Sequence, residues 1–398
     1  MKKILAAVVV ALAAVAEGAG FEREAPEKYW DFSSLCKVPK FRPSPYKESE
    51  QPGMRALLVE GKGPGNSVAE FFCYYAVPDG KMPEKGWPAV VLVHGGDGTA
   101  FPRFVDLWKR QGVAVAALNW YNEYTAPGRT DIPTNIRPVP SVPLEGGRRQ
   151  DHVSNVANIV LLHTLMRSLP EVDASRTVLV ALSWGSRYGA CVTAVDDRFR
   201  GCVEIYCGDK NVHRDPVNGI YAFVNGRFLH AAKVPMWWIV SSNDRSVSPE
   251  TSNAGFEECA KFDGCAIVND LPHDHFGFGF EAVLRMGRFY AGLEKNRLPK
   301  LGEAKIDAGV LTARILDKGK GIAFAKIGYT LSSDPLAHKR KWHYAEAVID
   351  GDVIRANVPE GTRICYLAAY ERKSKYSDMC GTTKYVMPLQ RSKSAWED

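Results

Sequence analysis

Four short stretches carry residue types that together could perform acyl transfer. "TVLVALSWGSRYGA" (177–190) reads as an apolar strand, a tight turn at Ser183 and the start of a helix. A turn that sharp pushes the hydroxyl out at the top of a sheet and leaves the following backbone N–H groups facing a ligand. The plainer alternative is a helix N-cap. A serine hydroxyl is a poor nucleophile unless a base takes its proton, and the base needs a carboxylate to hold its tautomer. Asp244 in "VSSNDRSVSP" and the histidines of "NDLPHDHFGF" each follow an apolar run, which gives the chain order Ser, Asp, His. His273 lies closer to its strand end than His275 and is preferred as the base; His275 would orient it or contact substrate. Asp270 and Asp274 are weaker rivals to Asp244, whose other reading is an Asx-turn. The fourth stretch is "HGGDG" (94–98). Attack on a carbonyl creates an oxyanion, and losing one donor from its site costs ~10²–10³ in rate. Glycines let backbone N–H groups approach that oxygen. Gly96, with Gly95 as its neighbour, and the N–H of Trp184 are assigned this role, a turn being the alternative for the glycines. Arg187, just past the turn, is a secondary candidate.

In a parallel sheet such groups must come from loops at the C-terminal strand ends. The elements that would supply them are legible. "WPAVVLVHGG" (87–96), "VAVAALNW" (113–120), "TVLVALSWG", "GCVEIYCG" (201–208), "VPMWWIVSS" (234–242) and "CAIVND" (265–270) are near-continuous apolar runs. Such runs mark strands buried on both faces. "SVAEFFCYYAVP" (67–78) reads as a further strand, and residues 21–55 look irregular. "FPRFVDLWKRQG" (101–112) has helical spacing and a glycine stop. Asp151 caps a second helix to about Leu169, amphipathic with Val153, Val156, Ile159, Val160 and Met166 on one side. This alternation predicts an α/β fold, a mostly parallel sheet with helices on both faces. The Pro/Gly/Arg segment 126–149 is a long loop. Its Arg129, Arg137, Arg148 and Arg149 would suit an anionic sugar or simply be solvated. Trp120 and Tyr121 would stack on a sugar or pack the rim. Past "NRLPKLG" (296–302) strand-like runs alternate with turns, "IDGDV" reads as a hairpin, and a C-terminal antiparallel β-sandwich is predicted. The expected partition is a signal peptide at 1–19, an α/β domain at 20–297 and the sandwich at 298–398.

Bulk properties narrow the classes. The chain has 398 residues, 45% apolar and 24% charged, which are globular values that argue against wholesale disorder. Net charge is only +6. The densest basic run, "HKRKWH" (338–343), reads as a solvated face or an anionic-glycan contact, so no nucleic-acid partner is expected. "MKKILAAVVVALAAVAEGAG" has the lysines, apolar stretch and small residues of a secretory signal and is too short for a comfortable span. A secreted or periplasmic protein without a membrane anchor is expected. Nine cysteines in an oxidising compartment make Cys259/Cys265 and Cys365/Cys380 disulfide candidates. No cysteine/histidine spacing suits structural zinc, so no metal is predicted, and acyl transfer by a serine implies no cofactor.

"PAVVLVHGGDGTAF…LW", "LPEVDASRTVLVALSWGSRYGACVTAVDDRF", "PMWWIVSSNDRSVSP" and "LPHDHFGF" together resemble the α/β-hydrolase superfamily, in particular its secreted acetyl xylan esterase-like and dienelactone-hydrolase-like members. The resemblance spans roughly residues 55–297. It implies a triad of Ser183, Asp244 and His273, and an acylated poly- or oligosaccharide as substrate. The "GTTKYV" end resembles the C-terminal β-domain that some members carry. Three positions depart from the pattern. Ala181 replaces the first glycine of G-x-S-x-G. Asp97 replaces a glycine of the oxyanion loop. Ser186, followed by Arg187, stands after "SWG" where a glycine is usual. The expectation is a secreted serine esterase. The rivals are a peptidase using the same triad, whose usual N-terminal propeller the segment before Ala56 is too short to hold, and an inactive scaffold whose β-sandwich binds glycan.

Overall fold

A computed structural model describes residues 23–45, 47–63, 68–96, 98–120, 152–207 and 226–388. The expected leader, Asp97, Tyr121, Asp151 and the four arginines of the long loop lie outside these residues. The first nine strands are β1 (Phe41–Pro43), β2 (Arg55–Lys62), β3 (Val68–Ala76), β4 (Trp87–Val93), β5 (Ala114–Asn119), β6 (Val172–Leu182), β7 (Gly201–Ile205), β8 (Met236–Ser241) and β9 (Phe262–Val268). They pair in the order β1-β2-β3-β5-β4-β6-β7-β8-β9. Pairing is antiparallel from β1 to β5 and parallel from there to β9. In β5, β7 and β8 every residue is buried, as their unbroken apolar runs require of strands covered on both faces. The pairs Val93↔Ala181, Leu182↔Ile205, Ile205↔Ile239 and Ser241↔Val268 bring the C-terminal ends of β4, β6, β7, β8 and β9 to one edge. All four chemistry-bearing stretches therefore leave the sheet on the same side.

The helices are α1 (Phe32–Leu35), α2 (Pro102–Lys109), α3 (His152–Ser168), α4 (Trp184–Val195), α5 (Gly226–Leu229), α6 (Pro249–Glu258) and α7 (Glu281–Tyr290). α3 departs from the one-sided helix expected: nearly all of it is buried, including Asn155, Asn158, His163 and Thr164. The N-terminal segment, read as irregular, forms α1 and β1 and covers α3's second face. There Trp30 Nε1 donates to Val153 O (2.9 Å) and Thr164 Oγ1 to Leu35 O (2.7 Å). Each buried polar group on α3 has a partner. His163 bridges Asp196 (2.7 Å) and Thr177 (2.8 Å) and stacks on Phe199.

Residues beyond α7 form β10 (Lys300–Leu301), β11 (Lys305–Asp307), β12 (Val310–Asp317), β13 (Phe324–Thr330), β14 (His343–Asp350), β15 (Val353–Asn357), β16 (Ile364–Tyr370) and β17 (Cys380–Thr382). All their pairings are antiparallel. β14 pairs with both β13 and β15, so the β13/β16 and β12/β15 layers share a second core of Leu311, Ile315, Ile327, Ile354 and Leu367. The "IDGDV" hairpin closes β14 on β15 with Gly351 at φ 60°. "TKYVMP", expected as a strand, makes only the bridge Cys365↔Val386. One antiparallel pair, Thr382↔Cys265, joins this unit to β9.

Neither proposed disulfide forms, and none of the nine cysteines is joined to another. Cys259 faces the sulfur of Met236 (3.5 Å) while Cys265 faces Thr382, so the two point to different neighbours. Cys365 belongs to the second core and Cys380 to the main one.

Candidate active site

Ser183 sits between the last residue of β6 and the first of α4 with φ 54° and ψ −114°, a backbone conformation that costs of order 1–3 kcal/mol in a non-glycine residue. The surroundings hold it there. Ser183 N donates to Ile205 O (2.7 Å), and the one Ser186 hydroxyl proton is shared between Ala181 O (3.0 Å) and Ile205 O (2.8 Å). A Cβ on Gly185 would stand 2.3 Å from Val93 O and 2.4 Å from His94 O, so α4 and the 94–98 loop approach as closely as only glycine permits.

The Ser183 hydroxyl lies 2.7 Å from His273 Nε2, and His273 Nδ1 lies 2.6 Å from Asp244 Oδ2. A carboxylate only accepts, so Nδ1 carries the proton and donates, leaving Nε2 to accept from the serine. Asp244 is buried, and its Oδ1 accepts from the N–H groups of Ser246 (2.7 Å) and Val247 (3.2 Å). The turn geometry offered as an alternative for Asp244 is thus present as well: one oxygen holds the loop and the other holds the imidazole. The rivals go elsewhere. Asp270 accepts from Asn243 and Asn269, and Asp274 caps the His275–Gly279 turn through Phe276 N (2.8 Å).

His275 does not join this chain. It packs on Phe101 (4.8 Å between rings) and against Gly98, where a Cβ would stand 2.6 Å from its Nε2. Of the glycines, Gly95 is the closer neighbour of the nucleophile: a Cβ there would meet Ser183 Cβ at 3.0 Å, whereas one at Gly96 would meet nothing within 4 Å. Trp184 opens α4, so its N–H has no acceptor within the helix. Its ring takes the Arg187 guanidinium on its face (4.4 Å), and its Nε1 donates to Tyr188 (3.1 Å). Ser186, read as a departure on the substrate side, is wholly buried and braces the turn. Trp120 is no sugar platform: it is 3% exposed, stacks on His94 (4.8 Å, 7°) and donates Nε1 to His94 O (2.8 Å).

Two residues at this edge were not singled out from sequence. Tyr206, after β7, has φ 58°, stacks on His273 (4.4 Å, 18°) and donates its hydroxyl to Pro272 O. Burial pushes that hydroxyl far above the usual tyrosine range. An aromatic just after an apolar run is the sole sequence signal. Glu204, wholly buried on β7 behind α4, accepts from Cys202 Sγ (3.2 Å), and a Cβ on Gly189 would stand 2.5 Å from its Oε1. Burial raises its carboxyl to about 8. Among the described residues no group of three or more His, Cys, Asp or Glu could hold a metal ion, and no helix is long and apolar enough to cross a membrane.

No protein-family model matches the sequence, and no curated protein matches it. Among solved structures, an acetyl xylan esterase from Paenibacillus sp. R4 superposes with a TM-score of 0.52 at 16% identity, over 68% of this chain and 97% of that one. The chain has the α/β-hydrolase fold. At that identity the likeness is one of architecture, and the strand order and serine turn above are where the α/β-hydrolase frame is visible. Acetyl xylan esterase 1 from a Thermoanaerobacterium species also matches, with a TM-score of 0.47 and 15% identity over 71% of this chain and 98% of that one.

Proposed function

We propose that the protein is an exported serine esterase that removes acyl groups, most simply acetyl, from carbohydrate. One observation carries this reading: a continuous hydrogen-bonded chain from Asp244 through His273 to Ser183, with the serine on a strained turn at the open edge of the sheet. Ser183 Oγ attacks the ester carbonyl while its proton passes to His273 Nε2. The oxyanion is met by the Trp184 N–H and the backbone of the Gly95–Gly96 loop. Asp244 holds the imidazolium that forms. The tetrahedral intermediate collapses, the C–O bond to the sugar breaks, and His273 returns the proton to the leaving hydroxyl. Water, deprotonated by His273, then attacks the acyl-serine and releases the acid. Tyr206, stacked on the imidazole and tied to Pro272, keeps the ring in the plane that both hydrogen bonds need. The signal-like N-terminus supports export, and the nature of the solved esterases that share the fold supports an acetylated glycan as substrate.

The test is hydrolysis of para-nitrophenyl acetate by the mature protein beside Ser183→Ala. Turnover by the wild type and none by the variant is expected. Equal rates for the two would remove Ser183 as nucleophile.

A further inference from the structure

Arg103, on α2 just after the Gly95 loop, and Phe276, in the turn that follows His273, stand side by side. The Arg103 Cζ lies 5.0 Å from the ring centre of Phe101, 4.8 Å from that of Phe104 and 4.8 Å from that of Phe276. Phe101 packs on His275, which touches Gly98, so this group is continuous with the candidate active site. Three rings surround the one guanidinium, with Phe104 near-perpendicular to both Phe101 (82°) and Phe276 (89°). They leave its in-plane N–H donors unused, since a ring satisfies the charge but accepts no in-plane hydrogen bond.

Among the described residues nothing takes those donors. Arg55, Arg198, Arg285, Arg297 and Arg340 each hold a carboxylate. Arg103 is exposed and has no hydrogen bond or ion pair to any described residue. Phe276 is 60% exposed, although its backbone is pinned by the Asp274 cap (2.8 Å). Leaving a phenyl ring in water on a fixed turn forgoes the gain of burying it. A rigid aromatic surface beside an oriented guanidinium edge suits a ligand with an apolar ring face and an anionic group. The α2 end from which Arg103 projects has no acidic residue in its first turn to compete.

We propose that Arg103 and Phe276 form a subsite for a negatively charged sugar unit of the substrate, its ring lying on Phe276 and its carboxylate or sulfate on the Arg103 edge. This rests on the esterase reading and adds charge to it: the preferred ester is on an acidic glycan. The competing account is a clamp that ties α2 to the histidine loop and contacts no ligand.

The experiment compares kcat/KM for acetylated methyl xyloside, acetylated methyl glucuronoside and a sulfated acetylated methyl xyloside. The wild type is expected to favour a charged sugar by about tenfold or more, and salt is expected to shrink that preference. In Arg103→Gln the charged-to-neutral ratio is expected to fall by about tenfold, with Arg103→Lys in between because it keeps charge without the fork. Phe276→Ala is expected to raise KM for the favoured sugar more than kcat falls. Which charged substrate leads identifies carboxylate or sulfate. No preference in the wild type, or a ratio that Arg103→Gln leaves unchanged, overturns the subsite, because a clamp would lower all substrates together. If the wild type hydrolyses none of these and no para-nitrophenyl acetate, the esterase reading fails. The subsite is then decided by calorimetric titration with methyl glucuronoside and sulfated methyl xyloside: binding lost in Arg103→Gln supports it, and no binding overturns it.

Discussion

Gly185→Ala tests whether the serine turn is held by backbone contact or merely decorated by it. The added methyl would lie 2.3 Å from Val93 O and 2.4 Å from His94 O. Both are main-chain atoms at the end of a central strand, so neither can rotate away. Relief requires roughly 1 Å of movement between α4 and the 94–98 loop, and a misplacement of that size costs about 10²-fold in rate. The movement opens the space between the Trp184 N–H and the Gly95 backbone while leaving the His273–Asp244 hydrogen bond intact, so kcat should fall by about 10²-fold with KM little changed. Overpacking of this kind also costs typically ~1–3 kcal/mol of stability. Steady-state kinetics with para-nitrophenyl acetate, alongside thermal unfolding, reads both. Gly96→Ala, which meets nothing within 4 Å, is the comparison and should lose far less. A Gly185→Ala protein with wild-type kcat would refute the idea that close approach of these two backbones sets the geometry.

Asp244→Asn should keep the fold, since the amide oxygen can still accept from Ser246 and Val247, but it no longer selects the Nδ1–H tautomer of His273; kcat should drop by about 10⁴, as loss of tautomer control does in such constellations. Glu204 supplies a stability prediction with a definite sign. Its carboxyl is held at about 8 in the folded protein, above its unfolded value, so the unfolded state releases the proton first as pH rises. Stability on this account is full in acid, declines as pH rises from the unfolded value to about 8, and is level beyond. Glu204→Gln, neutral throughout, should melt progressively higher than the wild type as pH rises through that window, as followed by calorimetry. A melting difference independent of pH would show that Glu204 is not protonated in the folded protein.

Much of the site was legible because it is local chemistry at strand ends. An unbroken apolar run followed by a small, sharp turn has few structural meanings, and Ser183, Asp244 and His273 each follow one. Choosing His273 over His275 needed only distance from the end of β9, since the later histidine is carried into the turn that Asp274 caps. What was not legible depends on contacts across the fold. Tyr206 takes a positive φ and stacks on a histidine from a distant loop, and nothing in "IYCG" reports either. α3 looked one-sided because Asn155, Asn158, His163 and Thr164 are polar; their burial is set by partners on distant segments. β2 was not singled out, and it is an antiparallel strand of the outer sheet defined by its pairing to β3. The cysteine pairs failed because closeness in sequence does not bring side chains together: Cys259 meets Met236 and Cys265 meets Thr382, while Cys365 and Cys380 belong to different cores.

The single ladder pair between Thr382 and Cys265 has a consequence for how the chain avoids its own kind. β9 is the last strand of the parallel sheet, and an open last strand is a template on which another molecule can add. Here Thr382 receives the Ile267 N–H (3.2 Å), and Arg297 and Lys300 fasten the Asp263 carboxylate at the other end of the strand. The later strands then carry the hydrogen-bonded surface away from β9 and fold it over a second core. The C-terminal unit is, in this respect, a guard against intermolecular strand addition, and a chain cut before β10 would bare an apolar edge that the whole protein never presents.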